Sequence, residues 1–389
     1  MSNAFVYDAV RTPFGRFDGA LSKERPDDLA AAVLSALAER TPGLDTGQVD
    51  EVVLGLANGA GEDNRNVGRM AVLLAGYPVT VPGSTINRLC GSGLDAVMSA
   101  SRQIETGDAS IVVAGGVESM TRAPWVLPKP DRAFPARDVT AVSTTLGWRL
   151  VNPRMPKEWT VSLGEANEQL QEEFGISRER QDAFAERSHR LAHAAWEAGF
   201  YDDLTVPVGD LTRDESIRAD TSPEKLAKLK PSFRPDGTIT AGNASPLNDG
   251  ASAVLVAGES AGLGQDPVAR IAGRAAAALE PQRFGYAPVE AANRALERAG
   301  ITWSDVGAVE LNEAFAVQSV ACVDAWKIDQ EIVNTRGGAI AIGHPLGASG
   351  GRILGTLAKV LREDGHRWGV AAICIGVGQG LAVVLENVS

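Results

Sequence analysis

The sequence predicts a duplicated, layered α/β protein. Three observations carry that expectation. One order of helices and strands occurs twice at a common offset. The strands are short and almost wholly apolar, as strands covered on both faces are. The helices keep their apolar residues on one side.

The 389 residues are too many for one small core, so two or three domains are expected. Residues 1–10 read as a first strand and lack the layout of a signal peptide. The first half then runs helix 28–40, strand 49–56, a long connection, helix 93–106 and strand 110–115. The second half repeats it as helix 289–299, strand 306–311, a connection, helix 350–363 and strand 369–375. Leu94, Val97, Met98 and Ile104 share one helical face, as do Ile353, Leu354, Leu357 and Leu361. Ser92-Gly93 and Ser349-Gly350 differ by 349 − 92 = 257 positions, and Val49 and Val306 by the same number. Two matches at one offset in the same element order indicate duplication. Two such halves imply an α/β/α/β/α layering. The expected boundaries are 1–120 with 247–268 for the first half, 121–246 for an insertion, and 269–389 for the second half.

The insertion is richer in Pro and charge and contains an amphipathic helix over 177–198, with Ser177 as N-cap and Gly199 after its end. Arg213, Arg218, Lys225, Lys228, Lys230 and Arg234 follow it. Their bias suits either an anionic ligand or a solvated face shared with nearby Asp and Glu.

Composition excludes several classes. A net charge of −12 argues against general nucleic-acid binding. No apolar run approaches the roughly 20 residues of a membrane helix. Three cysteines without framework spacing fit reduced thiols and a cytoplasmic setting. No metal-ligand spacing or dinucleotide fingerprint occurs.

Two of those cysteines and one histidine lie in glycine-rich segments. Cys90 sits in Asn87-Arg88-Leu89-Cys90-Gly91-Ser92-Gly93, His344 in Gly343-His344-Pro345-Leu346-Gly347, and Cys374 in Cys374-Ile375-Gly376-Val377-Gly378. Small neighbours let a substrate and backbone N–H groups approach a reactive side chain. A helix start beside Cys90 favours the thiolate. Cys322, in an apolar helical stretch, reads as core, and His189, His193 and His366 read as surface residues.

These segments, with Gly115-Gly116-Val117-Glu118-Ser119-Met120, Asn312-Glu313-Ala314-Phe315-Ala316 and Gly337-Gly338-Ala339-Ile340-Ala341-Ile342, resemble the thiolase family over essentially the whole chain. The resemblance implies the duplicated five-layer thiolase fold with an inserted loop domain that holds coenzyme A. It implies Cys90 as nucleophile, His344 as its base and Cys374 as the second acid/base, its thiol tuned downward. His344 with a water on Asn312 forms one oxyanion hole, and the N–H groups of Cys90 and Gly376 form the other. Arg218, Ser245 and Lys225 fall at coenzyme A positions. No cofactor is implied beyond coenzyme A as substrate. Acyl-CoA and CoA are the expected partners, within a homodimer or homotetramer.

Leu163-Gly164-Glu165-Ala166-Asn167-Glu168 replaces the family's Met-Gly-x-Thr-Ala-Glu, and Ser162 replaces a histidine of short-chain biosynthetic members. Both point away from acetoacetyl-specific biosynthesis. Residues 116–124 and 144–153 are similar to 3-oxoadipyl-CoA thiolases and to broader bacterial 3-ketoacyl-CoA thiolases. A dicarboxylate substrate needs a cation, for which Arg122, Arg149 and Arg154 are candidates. The expected reaction is CoA-dependent thiolysis of a 3-ketoacyl-CoA through an acyl-Cys90 intermediate. The alternatives are an acetoacetyl-CoA thiolase, a decarboxylating ketoacyl synthase, and a non-catalytic CoA- or lipid-binding relative.

Overall fold

Two halves of one topology make up the computed structural model, which describes residues 2–389. The first half contains β1 (Ala4–Arg11), β2 (Gly15–Arg16), α1 (Pro26–Arg40), β3 (Glu51–Gly55), α2 (Val67–Leu74), β4 (Gly83–Ile86), α3 (Ser92–Thr106) and β5 (Ile111–Ser119). The insertion follows with β6 (Trp125–Val126), β7 (Val142–Ser143), α4 (Leu163–Phe174), α5 (Arg178–Glu197) and α6 (Pro223–Leu226), after which β8 (Asn248–Gly258) returns to the first half. The second half contains β9 (Ala269–Ala278), α7 (Ala287–Ala299), β10 (Val306–Leu311), α8 (Ala316–Trp326), α9 (Ala339–Ile342), α10 (Leu346–Asp364), β11 (Trp368–Ile375) and β12 (Gln379–Asn387).

The strands pair in the order β10-β11-β12-β9-β1-β8-β5-β3-β4, with β2 on β8. The duplication is visible in the pairing itself. β3 runs parallel to β5 as β10 does to β11, and β8 is antiparallel to β5 as β12 is to β11. The halves meet through two residue pairs of β1 and β9, Phe5 with Arg270 and Val6 with Ala269. Every residue of β5 and β8 is buried, which is why their sequences read as continuous apolar runs.

α3 and α10 lie between the two sheets and share one apolar core with both, including Leu94, Val97, Met98, Ile353, Leu354 and Leu357. α1 and α2 cover the outer face of the first half, and α7 and α8 that of the second. This is the five-layer arrangement. The inner helices approach so closely that side chains are excluded at the contact. A Cβ on Gly350 would lie 1.9 Å from Leu94 N, and one on Gly93 2.3 Å from Gly347 O.

The insertion helices pack over the second half. Ala166, Leu170, Phe184 and Ala185 join Phe315, Val317 and Cys374 in a further apolar cluster. Ser177 caps α5, accepting from the Arg180 N–H. No helix among the described residues is long and apolar enough to cross a membrane.

Candidate active site

Cys90 occupies a tight turn just ahead of α3, which begins two residues later at Ser92. The turn is stitched from within. Ser92 Oγ donates to Leu89 O at 2.6 Å and accepts from the Arg88 N–H at 2.9 Å, and the Leu89 N–H donates to Asn87 Oδ1 at 3.0 Å. Leu89 takes φ +48, a left-handed conformation costly for a side chain with a Cβ. The loop after Cys374 repeats that feature at Val377, with φ +69. Both strained residues line the same cavity as Cys90 and Gly376.

The second half supplies the other groups. Asn312 follows β10 and is fully buried, and its Nδ2 lies 3.4 Å from each ring nitrogen of His344. His344 precedes α10. Its backbone N–H donates to Asn248 Oδ1 at 3.0 Å, and its Nδ1 lies 2.6 Å from Ser349 Oγ. The Ser349 hydroxyl donates its one proton to Pro345 O, so its oxygen accepts from Nδ1–H. That tautomer leaves His344 Nε2 as the acceptor of the ring, with the Asn312 amide 3.4 Å away. Cys374, near the end of β11, is buried close enough to Cys90 for the two thiols to oppose each other's ionisation.

Burial dominates the charge states. It pushes the Cys90 thiol up to about 11, against the N–H groups of Gly376 and of Cys90 itself, which reach the sulfur and favour the anion. Burial, then the neighbouring Cys90, raises Cys374 well above an ordinary thiol. This corrects the expected downward tuning of Cys374 and the expected thiolate at Cys90. Burial is the largest influence on both thiols and opposes the ionisation of each. Burial, then the Arg352 guanidinium, lowers His344 to about 3, so its ring is neutral.

A cavity of about 390 Å³ opens onto Cys90. Glu118, buried in its wall, accepts the backbone N–H groups of Ala57 (2.9 Å), Asn58 (3.1 Å) and Gly347 (2.9 Å), tying the loop after β3 to the start of α10. Burial raises it to about 7. The Glu118 tie, Ser349, and Asn58 in the cavity wall were not singled out from the sequence. Their partners lie far away in the chain or are offered by the backbone.

The residues expected to meet coenzyme A lie outside that lining. Arg218 is exposed, and its backbone N–H donates to His189 Nδ1 at 3.2 Å. His189 is buried within the insertion rather than on the surface, and burial lowers it to about 4. Lys225 is exposed and paired with Asp220, and Ser245 Oγ donates to Ala314 O at 3.1 Å. Arg213 and Arg234 are also paired, with Glu197 and with Glu165 and Glu172. The departures at 162–168 have structural partners too. Ser162 caps α4, and Glu168 accepts the N–H groups of Thr238 and Ile239. Cys322 lies fully buried in α8 and donates to Gly285 O.

The duplicated five-layer fold, with Cys90 in the wall of a cavity and a second, buried thiol at Cys374, is that of an acyl-transferring enzyme. The N-terminal thiolase domain family matches residues 4–260 and the C-terminal thiolase domain family residues 265–387. The chain is 49% identical to the beta-ketoadipyl-CoA thiolase of Pseudomonas aeruginosa over 99% of each chain. It is 48% identical to the 3-oxoadipyl-CoA/3-oxo-5,6-dehydrosuberyl-CoA thiolase of Escherichia coli K12 over 100% of each. The crystal structure of human mitochondrial 3-ketoacyl-CoA thiolase superposes with a TM-score of 0.94 at 35% identity, covering 100% of this chain and 99% of that one. The chain belongs to the thiolase family, and the protein is an acyltransferase.

Proposed function

We propose that this thiolase cleaves 3-oxoadipyl-CoA with coenzyme A, giving succinyl-CoA and acetyl-CoA by a ping-pong route. The observation that carries the route is Cys90 just ahead of α3, lining one cavity with Gly376 and lying beside a second buried thiol. His344 Nε2 takes the Cys90 proton as the sulfur attacks the C3 carbonyl. The N–H groups of Cys90 and Gly376 receive one developing oxyanion. The C2–C3 bond breaks, its electron pair leaves on C2 of acetyl-CoA, and Cys374 donates the proton to that carbon. Succinyl-Cys90 remains. The Cys374 thiolate then removes the proton of the incoming CoA thiol, whose sulfur takes the succinyl group. Cys90 recovers its proton from His344. The protonated imidazole and Asn312 stabilise the other oxyanion of the cycle.

Arg218, Lys225 and Ser245 are the proposed coenzyme A contacts, the two cations for its phosphates. The names of the relatives in Pseudomonas and Escherichia coli support the dicarboxylate substrate. The reading extends to a homodimer or homotetramer in the cytoplasm. β4 ends the sheet with one edge unpaired, and Trp125 and Phe134 project from the insertion at 74% and 93% exposure, which favours self-association.

Steady-state thiolysis of 3-oxoadipyl-CoA, acetoacetyl-CoA and 3-ketohexadecanoyl-CoA tests the proposal, with Cys90→Ser as control. Preference for the dicarboxylate is expected. A preference for acetoacetyl-CoA would overturn the substrate reading, and cleavage by Cys90→Ser at the wild-type rate would overturn the route.

A further inference from the structure

We infer that Arg149, held by Asn58, is the group that binds the distal carboxylate of the acyl chain. The inference rests on the dicarboxylate reading above and deepens it.

Three arginines were candidates, and the structure separates them. Arg122 is already occupied: its Nε and Nη2 close on the two oxygens of Glu62 at 2.5 and 2.6 Å, and its Nη1 donates to Ser22 O. Arg154 is exposed and does not line the cavity that holds Cys90. Arg149 does line it, half-buried, and among the described residues it is the one cation that does so.

Its bonding leaves room for an anion. Nη2 donates to Asn58 Oδ1 at 3.0 Å, and Nη1 makes only a long 3.5 Å contact with Thr144 O. No carboxylate lies within ion-pair distance of it among the described residues. A guanidinium carries five N–H donors in a rigid fork that matches a carboxylate, so most of that fork is free.

The guanidinium is also aimed. Asn58 Nδ2 donates to Thr144 O and Oγ1 at 3.1 and 2.9 Å, and the Asn58 N–H is fixed on Glu118. Asn58 is thereby locked, and its one acceptor is presented to Arg149. The cavity that Arg149 and Cys90 both line has a largely apolar wall, with Leu89, Met120, Trp148 and Leu346, and suits the methylenes of a short chain. Glu118, the acid of the lining, has both oxygens engaged by backbone N–H groups. An acyl chain ending in a methyl group would leave the Arg149 fork without an anion, and a site built around a buried polar group rejects the analogue that lacks its partner.

The test compares 3-oxoadipyl-CoA with its neutral isostere 3-oxohexanoyl-CoA on the wild-type enzyme and on Arg149→Gln and Arg149→Lys, reading kcat and KM separately and melting temperature alongside. The ratio of kcat/KM values, dicarboxylate over neutral, should fall on the order of 10²-fold in Arg149→Gln, mainly through KM. Arg149→Lys should keep an intermediate ratio. An unchanged ratio in Arg149→Gln, whether both substrates lose equally or neither does, overturns the role of Arg149 while leaving the substrate reading intact. A wild-type enzyme without preference for the dicarboxylate overturns the substrate reading itself, and the inference with it.

Discussion

Arg352 Nη2 donates to Asn312 Oδ1 at 3.3 Å, and this contact decides which way the Asn312 amide faces. An arginine has no acceptor, so the amide oxygen must point toward it and the NH₂ toward His344. Arg352 is itself wholly buried, with Nη1 on Glu310 Oε2 at 3.2 Å. The proposed oxyanion-hole donor Asn312 is thus oriented by the buried Arg352–Glu310 ion pair.

Removing Arg352 strands Glu310 in that core. Arg352→Met should cost about 3–5 kcal/mol of stability. The double variant Arg352→Met with Glu310→Gln should recover much of the fold while kcat stays roughly tenfold or more below wild type. That loss should remain smaller than the on the order of 10²–10³ expected for Asn312→Ala. Thermal melts and steady-state kinetics on the three variants check this, and full recovery of kcat in the double variant would speak against the orienting role.

Cys90 and His344 rest uncharged, with no thiolate–imidazolium pair. Because burial raises the Cys90 thiol to about 11 and lowers His344 to about 3, deprotonation of the thiol grows throughout the range between. Alkylation of Cys90 by iodoacetamide in the unliganded enzyme should therefore accelerate about tenfold per pH unit from pH 6 to 9. A plateau beginning near pH 6 would mean that an ion pair exists at rest.

Glu118 holds the Ala57-Asn58 loop and the start of α10 at Gly347 together through three backbone N–H groups. Glu118→Gln turns one acceptor into a donor facing an N–H. The expected cost is about 1–3 kcal/mol, with lower kcat because the loops lose their registration. Its folded pKa, raised by burial to about 7, has a further consequence. A carboxyl with a raised folded pKa favours the native state below its ordinary value, and that contribution is lost as pH climbs through about 7. The melting temperature should therefore fall less steeply in Glu118→Gln than in wild type between pH 5 and 8.

Gly350 is required by the close approach of α3 and α10. Gly350→Ala puts a methyl 1.9 Å from the Leu94 nitrogen, against backbone that cannot yield without moving the Cys90 helix. We expect a loss of about 3 kcal/mol or more, with reduced turnover in whatever folds. A circular-dichroism melt indistinguishable from wild type would contradict the packing described.

The duplication was legible because β5 and β11 are buried on both faces, so they appear as apolar runs 257 positions apart, at Ile111–Ser119 and Trp368–Ile375. Helix starts were less legible. α10 begins at Leu346, four residues before the expected 350, because the glycines that lower helix propensity there are demanded by packing on α3. Cys90, His344 and Cys374 announced themselves through local glycine context. Glu118 bonds to Gly347 229 positions away, and Arg149 to Asn58 91 positions away, and no local pattern encodes such pairs. The charge states were misread for the same reason: desolvation depends on what closes over a thiol, here the insertion packed on Cys374.

The most direct test of the account is intact-mass and peptide mapping of the enzyme mixed with 3-oxoadipyl-CoA in the absence of free coenzyme A. The account predicts one succinyl group per chain on the peptide containing Cys90, with release of acetyl-CoA, and discharge as succinyl-CoA when coenzyme A is added. An unmodified Cys90 peptide in that mixture, or an acyl group on Cys374 instead, would contradict it.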